Sequence, residues 1–396
     1  MAARRFALAA LLALAGCATG GPPTPTAPAP GSGPPQAGGP GELHVEVVAS
    51  GLEHPWEIGF LPDGSALVTQ RPGELALLRQ PDLRPQPVQA DFSDVLARGE
   101  GGLMGLVVHP DFHANREFTT CQTHQEDGRA VDIRLITWRL AEDGTRAERV
   151  GQPLLTGLPI NPSGRHSGCR LAVAPDGALL VSTGDTARPT TAQDLRSPGG
   201  KVLRLDLDTG RPLPDNPFWD DPDPRQQLVL TYGHRNVQGL AIGPDGQVFA
   251  AEHGPDSEDE LNLLRPGRNY GWDPSRGGRN PVFYDESVPM TDLRRFPDAV
   301  PPLWTSGTDT EAVCAAAFLR GGQWGEPGVL AVTALKGSKL LLFRLAPGPS
   351  VLEVEVPPAL DGTHGRLRGA QQGPDGALYV TTSNGTDDEV LRVTAR

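Results

Sequence analysis

A chain of 396 residues with 48 acidic and 35 basic side chains carries a net charge of −13, which argues against nucleic acid as a partner and for a soluble body. Its 49 glycines and 41 prolines break up the apolar periodicity, so no helix longer than two turns is expected.

The chain opens on a targeting segment. Arg4-Arg5 precede an apolar run from Phe6 to Leu14 that is too short for a stable membrane span. Leu14-Ala15-Gly16-Cys17 resembles the lipobox of bacterial lipoproteins, so residues 1–17 are expected to be a signal peptide ending at a lipidated Cys17. An ordinary signal peptide with a chance cysteine is the alternative. Residues 18–42 are mostly Gly, Pro, Thr, Ser and Ala and read as a disordered tether. These segments predict an exported protein, in contact with the membrane only through a lipid anchor on the extracytoplasmic side.

Residues 43–396 carry a repeated module: a short apolar strand, a Pro-Asp-Gly turn, and a second apolar strand. It stands at Gly59 to Thr69, Leu171 to Thr183, Leu240 to Ala251 and Gln372 to Thr382, with a variant at Leu106 to Phe112. A degenerate copy fits Ala315 to Leu335, its turn around Trp324-Gly325-Glu326-Pro327-Gly328. The copies recur at intervals of about 50 to 70 residues, one of them with a degenerate turn, which predicts an all-β, six-bladed β-propeller. A parallel β-helix would need much shorter repeats. His44 to Ala49 is expected to close the ring by pairing with the last blade. Of the three cysteines after Cys17, Cys121 falls in the second blade and Cys169 just before the third, so Cys121–Cys169 is the expected bridge and Cys314 the free thiol. Sequence does not by itself decide among the three pairings.

In a propeller, the flanks of such modules converge at one mouth of the central channel. His166 precedes the third module and Asp185 follows it, so a hairpin returns the carboxylate beside the imidazole, where it would orient the ring and raise its basicity. A capped surface histidine is the other reading, and spacing does not separate the two. Arg235-Asn236 precede the fourth module, Lys336 follows the fifth, and Arg366 and Arg368 precede the sixth on one face of their strand. Singly each is a solvated charge; together, in an acidic protein, they form a positive well suited to a small polyanion. Lysine occurs only at 201, 336 and 339, so a persisting lysine points to a need for a compact ammonium. His253-Gly254-Pro255 breaks the second strand of the fourth module and leads into Asp256, Glu258, Asp259 and Glu260. A solvated acidic loop is the plain reading, but with Asn269-Tyr270-Gly271-Trp272 behind it the segment points to a calcium site. Glu100-Gly101-Gly102 precedes the second module and reads equally as a glycine turn. No zinc motif, nucleophile elbow or phosphate loop occurs.

HRNVQGLA, EHGP, DELNLL and NYGW, all between Thr231 and Trp272, resemble the signature segments of the soluble quinoprotein aldose sugar dehydrogenases. These are six-bladed propellers that use pyrroloquinoline quinone (PQQ) and Ca²⁺, and the resemblance runs from His44 to the end of the chain. It implies that His166, in a His-x-Gly-x-Arg-Leu setting with Gly168, Arg170 and Leu171, is the general base and Asp185 its partner. It implies that Arg235 and Asn236 bind the quinone, with Arg235 also catalytic, and that Lys336, Arg366 and Arg368 hold the cofactor. The carbonyls of Gly254 and Pro255 would hold the cofactor Ca²⁺, and Glu260 and Tyr270 a second, structural Ca²⁺. Glu100 stands where many members have Gln beside the quinone, an awkward place for a carboxylate next to an anionic cofactor. The segment Asp273 to Thr310 matches poorly, so the particular sugar does not carry over.

The implied activity is oxidation of an aldose at C1 to a lactone, with hydride passing to the quinone C5 and electrons leaving to an external acceptor the sequence does not identify. Two rivals stand beside it. A Ca²⁺-dependent propeller hydrolase would line its metal with side-chain carboxylates and amides rather than a ring of cations. A non-catalytic binding propeller would not need His166, Arg235 and Lys336 together.

Overall fold

The computed structural model describes residues 42–276, 283–325, 328–348 and 350–396. The leader with Cys17, the tether up to residue 41, and Glu326 and Pro327 of the degenerate turn lie outside the described residues.

Six antiparallel sheets stand around one channel. Their innermost strands are Pro55–Phe60, Leu103–Val108, Leu171–Val173, Val237–Ile242, Val313–Leu319 and Leu367–Gln372. Each packs beside the next, and Leu367–Gln372 returns to Pro55–Phe60, closing the ring. The sixth blade is completed by the N-terminal strand Leu43–Leu52, which pairs with Asp388–Ala395 from Leu43↔Ala395 to Leu52↔Asp388. The first strand of the body thus hydrogen-bonds to the last, tying the two ends of the ring together as the outer strand of one blade.

The turn chemistry explains four of the six inner hairpins. In each Pro-Asp-Gly turn the aspartate carboxylate accepts the N–H two residues on, Asp63 from Ser65, Asp176 from Ala178, Asp245 from Gln247 and Asp375 from Ala377. The following glycines sit at φ of 83°, 85°, 80° and 78°, a region other residues enter at a cost. The second blade has Phe112 in place of that glycine. Its chain makes a helical turn, Phe112–Asn115, before the next strand opens at Glu117, so the expected tight hairpin is replaced by a longer connection. In the fifth blade Leu319 pairs with Val329 across the degenerate turn. Apolar side chains of facing blades interlock; Trp56, Trp138, Trp272 and Trp324 are all at most 1% exposed. A disulfide joins Cys121 to Cys169, from the second blade to the approach of the third, and Cys314 is a buried free thiol.

Because the two inner strands of a blade are antiparallel, the first begins and the second ends at the same mouth. That mouth gathers the residues that follow.

Candidate functional site

The third blade delivers the central pair. His166 Nδ1 lies 2.7 Å from Asp185 Oδ1, and both are buried. The contact places the proton on Nδ1 and leaves Nε2 as the acceptor, with Arg165 3.4 Å from it, a tautomer inferred from the network. The two loops come this close only because residue 184 is glycine: a Cβ there would stand 2.0 Å from the His166 carbonyl oxygen. His166, Thr186 and Ala187 have φ of 53°, 56° and 51°, so the backbone on both sides of the pair is held in the left-handed region. The loop is then stitched to the fourth blade, where Asp185 N–H donates to the Arg235 carbonyl at 2.8 Å.

Arg235 and Asn236 are buried at the same mouth. Arg235 donates to the His253 carbonyl at 3.1 Å and to Glu286 at 2.6 Å, and its buried Nε has no partner among the described residues. Asn236 is spent largely on protein: its amide donates to Glu100 at 2.9 Å while its oxygen accepts from Gly168 N–H and from Gln238, each at 3.2 Å. Glu100 is therefore an anion braced against the site. Burial opposes its charge, but His166, His253 and the hydrogen bonds from Asn236 and the His166 backbone hold its carboxyl below the usual range.

The sixth-blade arginines differ from the alternation expected of them. The strand starts only at Leu367, which packs in the core; Arg366 lies before it and is exposed, whereas Arg368 is 5% exposed. Arg368 lies over the Trp56 ring at 5.6 Å, and its buried Nε lacks a partner among the described residues. Lys336 is exposed, and no ion pair of its ammonium occurs among the described residues. Sequence reasoning missed a further cation, Arg71, at the end of the second strand of the first blade. Burial lowers its pKa, and Arg368 and Arg366 lower it further, so the three guanidinium groups stand near one another. Its signal was available, since Arg71 follows the first module as Asp185 follows the third. Arg170, in the motif around His166, has a structural part: it pairs with buried Glu57, donates to the Gln238 carbonyl at 2.8 Å and covers Trp56 at 4.0 Å.

The acidic run after His253 does not act as one ligand set. Asp259 Oδ1 takes the Gly254 N–H at 2.9 Å, and its Oδ2 takes the N–H groups of Glu311 and Ala312 at 2.6 and 2.8 Å, pinning the turn to the fifth blade. Glu258 accepts from Met290 N–H. The carbonyls of Gly254 and Pro255 receive no hydrogen bond from the described residues, which leaves both free for a cation. Gly254 permits the turn: a Cβ would lie 1.9 Å from the Ser257 carbonyl oxygen. Burial pushes His253 down to about 3 despite Glu100, with Arg235 and Arg368 acting in the same direction, so its imidazole is neutral.

Glu260 lies apart from that turn, directly opposite Glu252 in the fourth blade. Burial and the facing Glu252 carboxylate push Glu260 up to about 8. Glu252, missed from sequence, also accepts from His234 Nδ1 at 2.8 Å. Tyr270 stacks on His234 with centroids 4.5 Å apart, but its hydroxyl donates to the Leu263 carbonyl at 2.6 Å and accepts from Arg265 N–H. Only the Tyr270 carbonyl remains as a ligand. Among the described residues no three His, Cys, Asp or Glu side chains are grouped to hold a metal, so any cation here draws on carbonyl oxygens as well.

Three more side chains complete the mouth, of which Tyr284 and Glu286 were unforeseen from sequence. Tyr284 and Trp272 both donate to Asp185 Oδ2 at 2.7 Å. Glu286 bridges Arg165 and Arg235. Of the three lysines, Lys201 puts its compact ammonium to structural use. It is fully buried and donates to the carbonyls of Thr191, Ala192 and Gly199 at 2.8–2.9 Å, tying down the loop behind Asp185.

A family model described as glucose/sorbosone dehydrogenase matches residues 52–392. The chain is 32% identical to the aldose sugar dehydrogenase YliI of Escherichia coli over 90% of this chain and 94% of the relative. It is 28% identical to quinoprotein glucose dehydrogenase B of Acinetobacter calcoaceticus, over 85% of this chain and 84% of the relative. A solved PQQ-bound aldose sugar dehydrogenase from Streptomyces coelicolor superposes with a TM-score of 0.73 at 29% identity, over 91% of this chain and 100% of that one.

Proposed function

Because the chain belongs to the glucose/sorbosone dehydrogenase family, whose members here are PQQ-dependent sugar oxidoreductases, we propose that it oxidises aldoses at C1 to lactones with His166 as general base. The observation that carries this reading is the His166–Asp185 pair set in a mouth of cations whose buried Arg235 Nε and Arg368 Nε lack partners. Such donors fit a planar polyanion, and PQQ carries three carboxylates. When bound, PQQ supplies the hydride acceptor. The chain does the rest. Nε2 of His166 takes the C1 hydroxyl proton. Asp185 keeps the proton on Nδ1 and stabilises the imidazolium that forms. Arg235 would offer positive charge where negative charge develops on the oxidant, and Lys336, Arg366, Arg368 and Arg71 would hold the carboxylates. Asn236 and Glu100 brace the His166 loop through Gly168 N–H and the His166 backbone.

The test is reconstitution: purified protein with PQQ and Ca²⁺ is assayed for dye reduction with a panel of aldoses. Sugar-dependent turnover is expected. A protein that binds no PQQ under these conditions would move the hydrolase reading ahead.

Calcium fits at two places. The Gly254 and Pro255 carbonyls would hold an ion that adds Lewis acidity beside the oxidant, and Glu260 with the Tyr270 carbonyl would hold a structural ion. The supporting observation for the second is the buried, facing pair Glu252–Glu260, which a cation would neutralise. A native-state ligand at a hundredfold excess over its Kd stabilises by about 2.7 kcal/mol. Ca²⁺ should therefore raise the melting temperature of the cofactor-free protein by several degrees, and Glu260→Gln should remove most of that rise. An unchanged Tm with Ca²⁺ or chelator rules the structural ion out.

A further inference from the structure

We propose that Tyr284 is a positioning residue for sugar oxidation: its hydroxyl, bonded to Asp185, tunes how strongly His166 holds its proton. This rests on the reading of His166 as the base.

Asp185 receives four donors. His166 Nδ1 and Ala187 N–H reach Oδ1 at 2.7 Å each; Trp272 Nε1 and Tyr284 Oη reach Oδ2 at 2.7 Å each. Three of them already satisfy the carboxylate, so the fourth is not required to bury it. Each donor draws on the same negative charge, and charge held by Tyr284 is charge not offered to the imidazolium. The Tyr284 oxygen also stands 3.2 Å from His166 Nδ1, and its ring lies 6.0 Å from the His166 ring and 6.2 Å from that of Trp272. The hydroxyl itself stays protonated, because burial and Asp185 push its pKa far up, so toward Asp185 it is a donor. The other charged or titratable groups facing His166 are Arg165, 3.4 Å from Nε2 and paired with Glu286, together with Glu100 and His253. None of these touches Asp185 Oδ2, so the effect of Tyr284 is separable from theirs.

The sign follows. Without the hydroxyl, more carboxylate charge faces the imidazolium and the protonated form of His166 is favoured. In Tyr284→Phe the acid limb of kcat/KM should move to higher pH by about half to one unit, a loss of up to about tenfold below the limb with little loss above it. A purely structural tyrosine would lower activity at every pH without moving the limb. The same shift should appear without PQQ, in the NMR titration of the His166 ring in the full chain, its resonance identified by its absence from His166→Gln. Replacing the chain's four tyrosines by fluorotyrosine strengthens the donor and should move that midpoint the other way, with no dependence on how the phenylalanine variant folds. A midpoint that neither substitution moves overturns the proposal. A wild type that oxidises no sugar overturns the dehydrogenase reading instead, and the cofactor-free titration still decides the Tyr284 effect.

Discussion

His166→Gln is expected to keep PQQ bound and to lose turnover by a factor on the order of 10² or more, the usual contribution of a positioned general base. Glutamine is close to histidine in size and can still donate to Asp185, whose remaining donors Trp272, Tyr284 and Ala187 are untouched. What disappears is the basic Nε2. None of the cations that would hold the cofactor hydrogen-bonds to the His166 ring, the 3.4 Å neighbour being Arg165, so occupancy and chemistry should separate. Asp185→Asn should fall between the variant and the wild type, because the ring keeps a hydrogen-bonding partner but its imidazolium loses the buried counter-charge. The measurements are a PQQ titration and single-turnover reduction of the bound cofactor by an aldose. Reduction at the wild-type rate in His166→Gln would remove His166 from the role of base.

The second large effect is expected from Lys336→Ala combined with Arg366→Ala. Both side chains are exposed, so their loss leaves no cavity in the core. Arg366 adds to the repulsion felt by Arg71, so in the cofactor-free protein its removal should leave stability unchanged or slightly higher. PQQ affinity should nevertheless drop, by about tenfold or more for each charge removed, with a weaker dependence on salt. Excess PQQ should recover most of the turnover, which it would not do for His166→Gln. Arg368 is a poorer test, since it also packs on Trp56 and donates to Cys314, and its truncation mixes binding with stability. If the double variant binds PQQ as tightly as the wild type, these residues are solvated surface charges and the clamp lies elsewhere.

The ring itself was legible because its turns are made by local chemistry. An aspartate that caps its own turn and a glycine at positive φ need no distant partner, and they recur in four of the six inner hairpins. The second-blade variant, with Phe112 in the glycine position, marks how local the signal is: one residue changes, and the hairpin lengthens. The dyad and the cations were legible for a related reason. They flank those modules, and antiparallel pairing returns the two flanks of a module to one mouth.

What sequence by itself determined is thus the repeat, the ring closure by His44 to Ala49, and most of the residues at one end of the inner hairpins. Tertiary structure alone decided how those residues are used. Asp259 looks like a ligand in an acidic run, yet three backbone N–H groups claim it, Gly254 of its own turn and Glu311 and Ala312 of a distant segment. Arg366 and Arg368 look equivalent, yet one is exposed and the other is buried against Trp56. Lys201 is marked in sequence only by the rarity of lysine; its role arises from three carbonyls of the loop that leads into it. Tyr284 and Glu286 come from a long connection after the inner strands of the fourth blade, where no periodicity constrains the path. The physical reason is range. Turn and strand preferences act over a few neighbouring residues and are written in their identities. The partner of a buried charge is chosen by whatever segment the packed ring brings within about 3 Å of it, and sequence spacing carries no record of that distance.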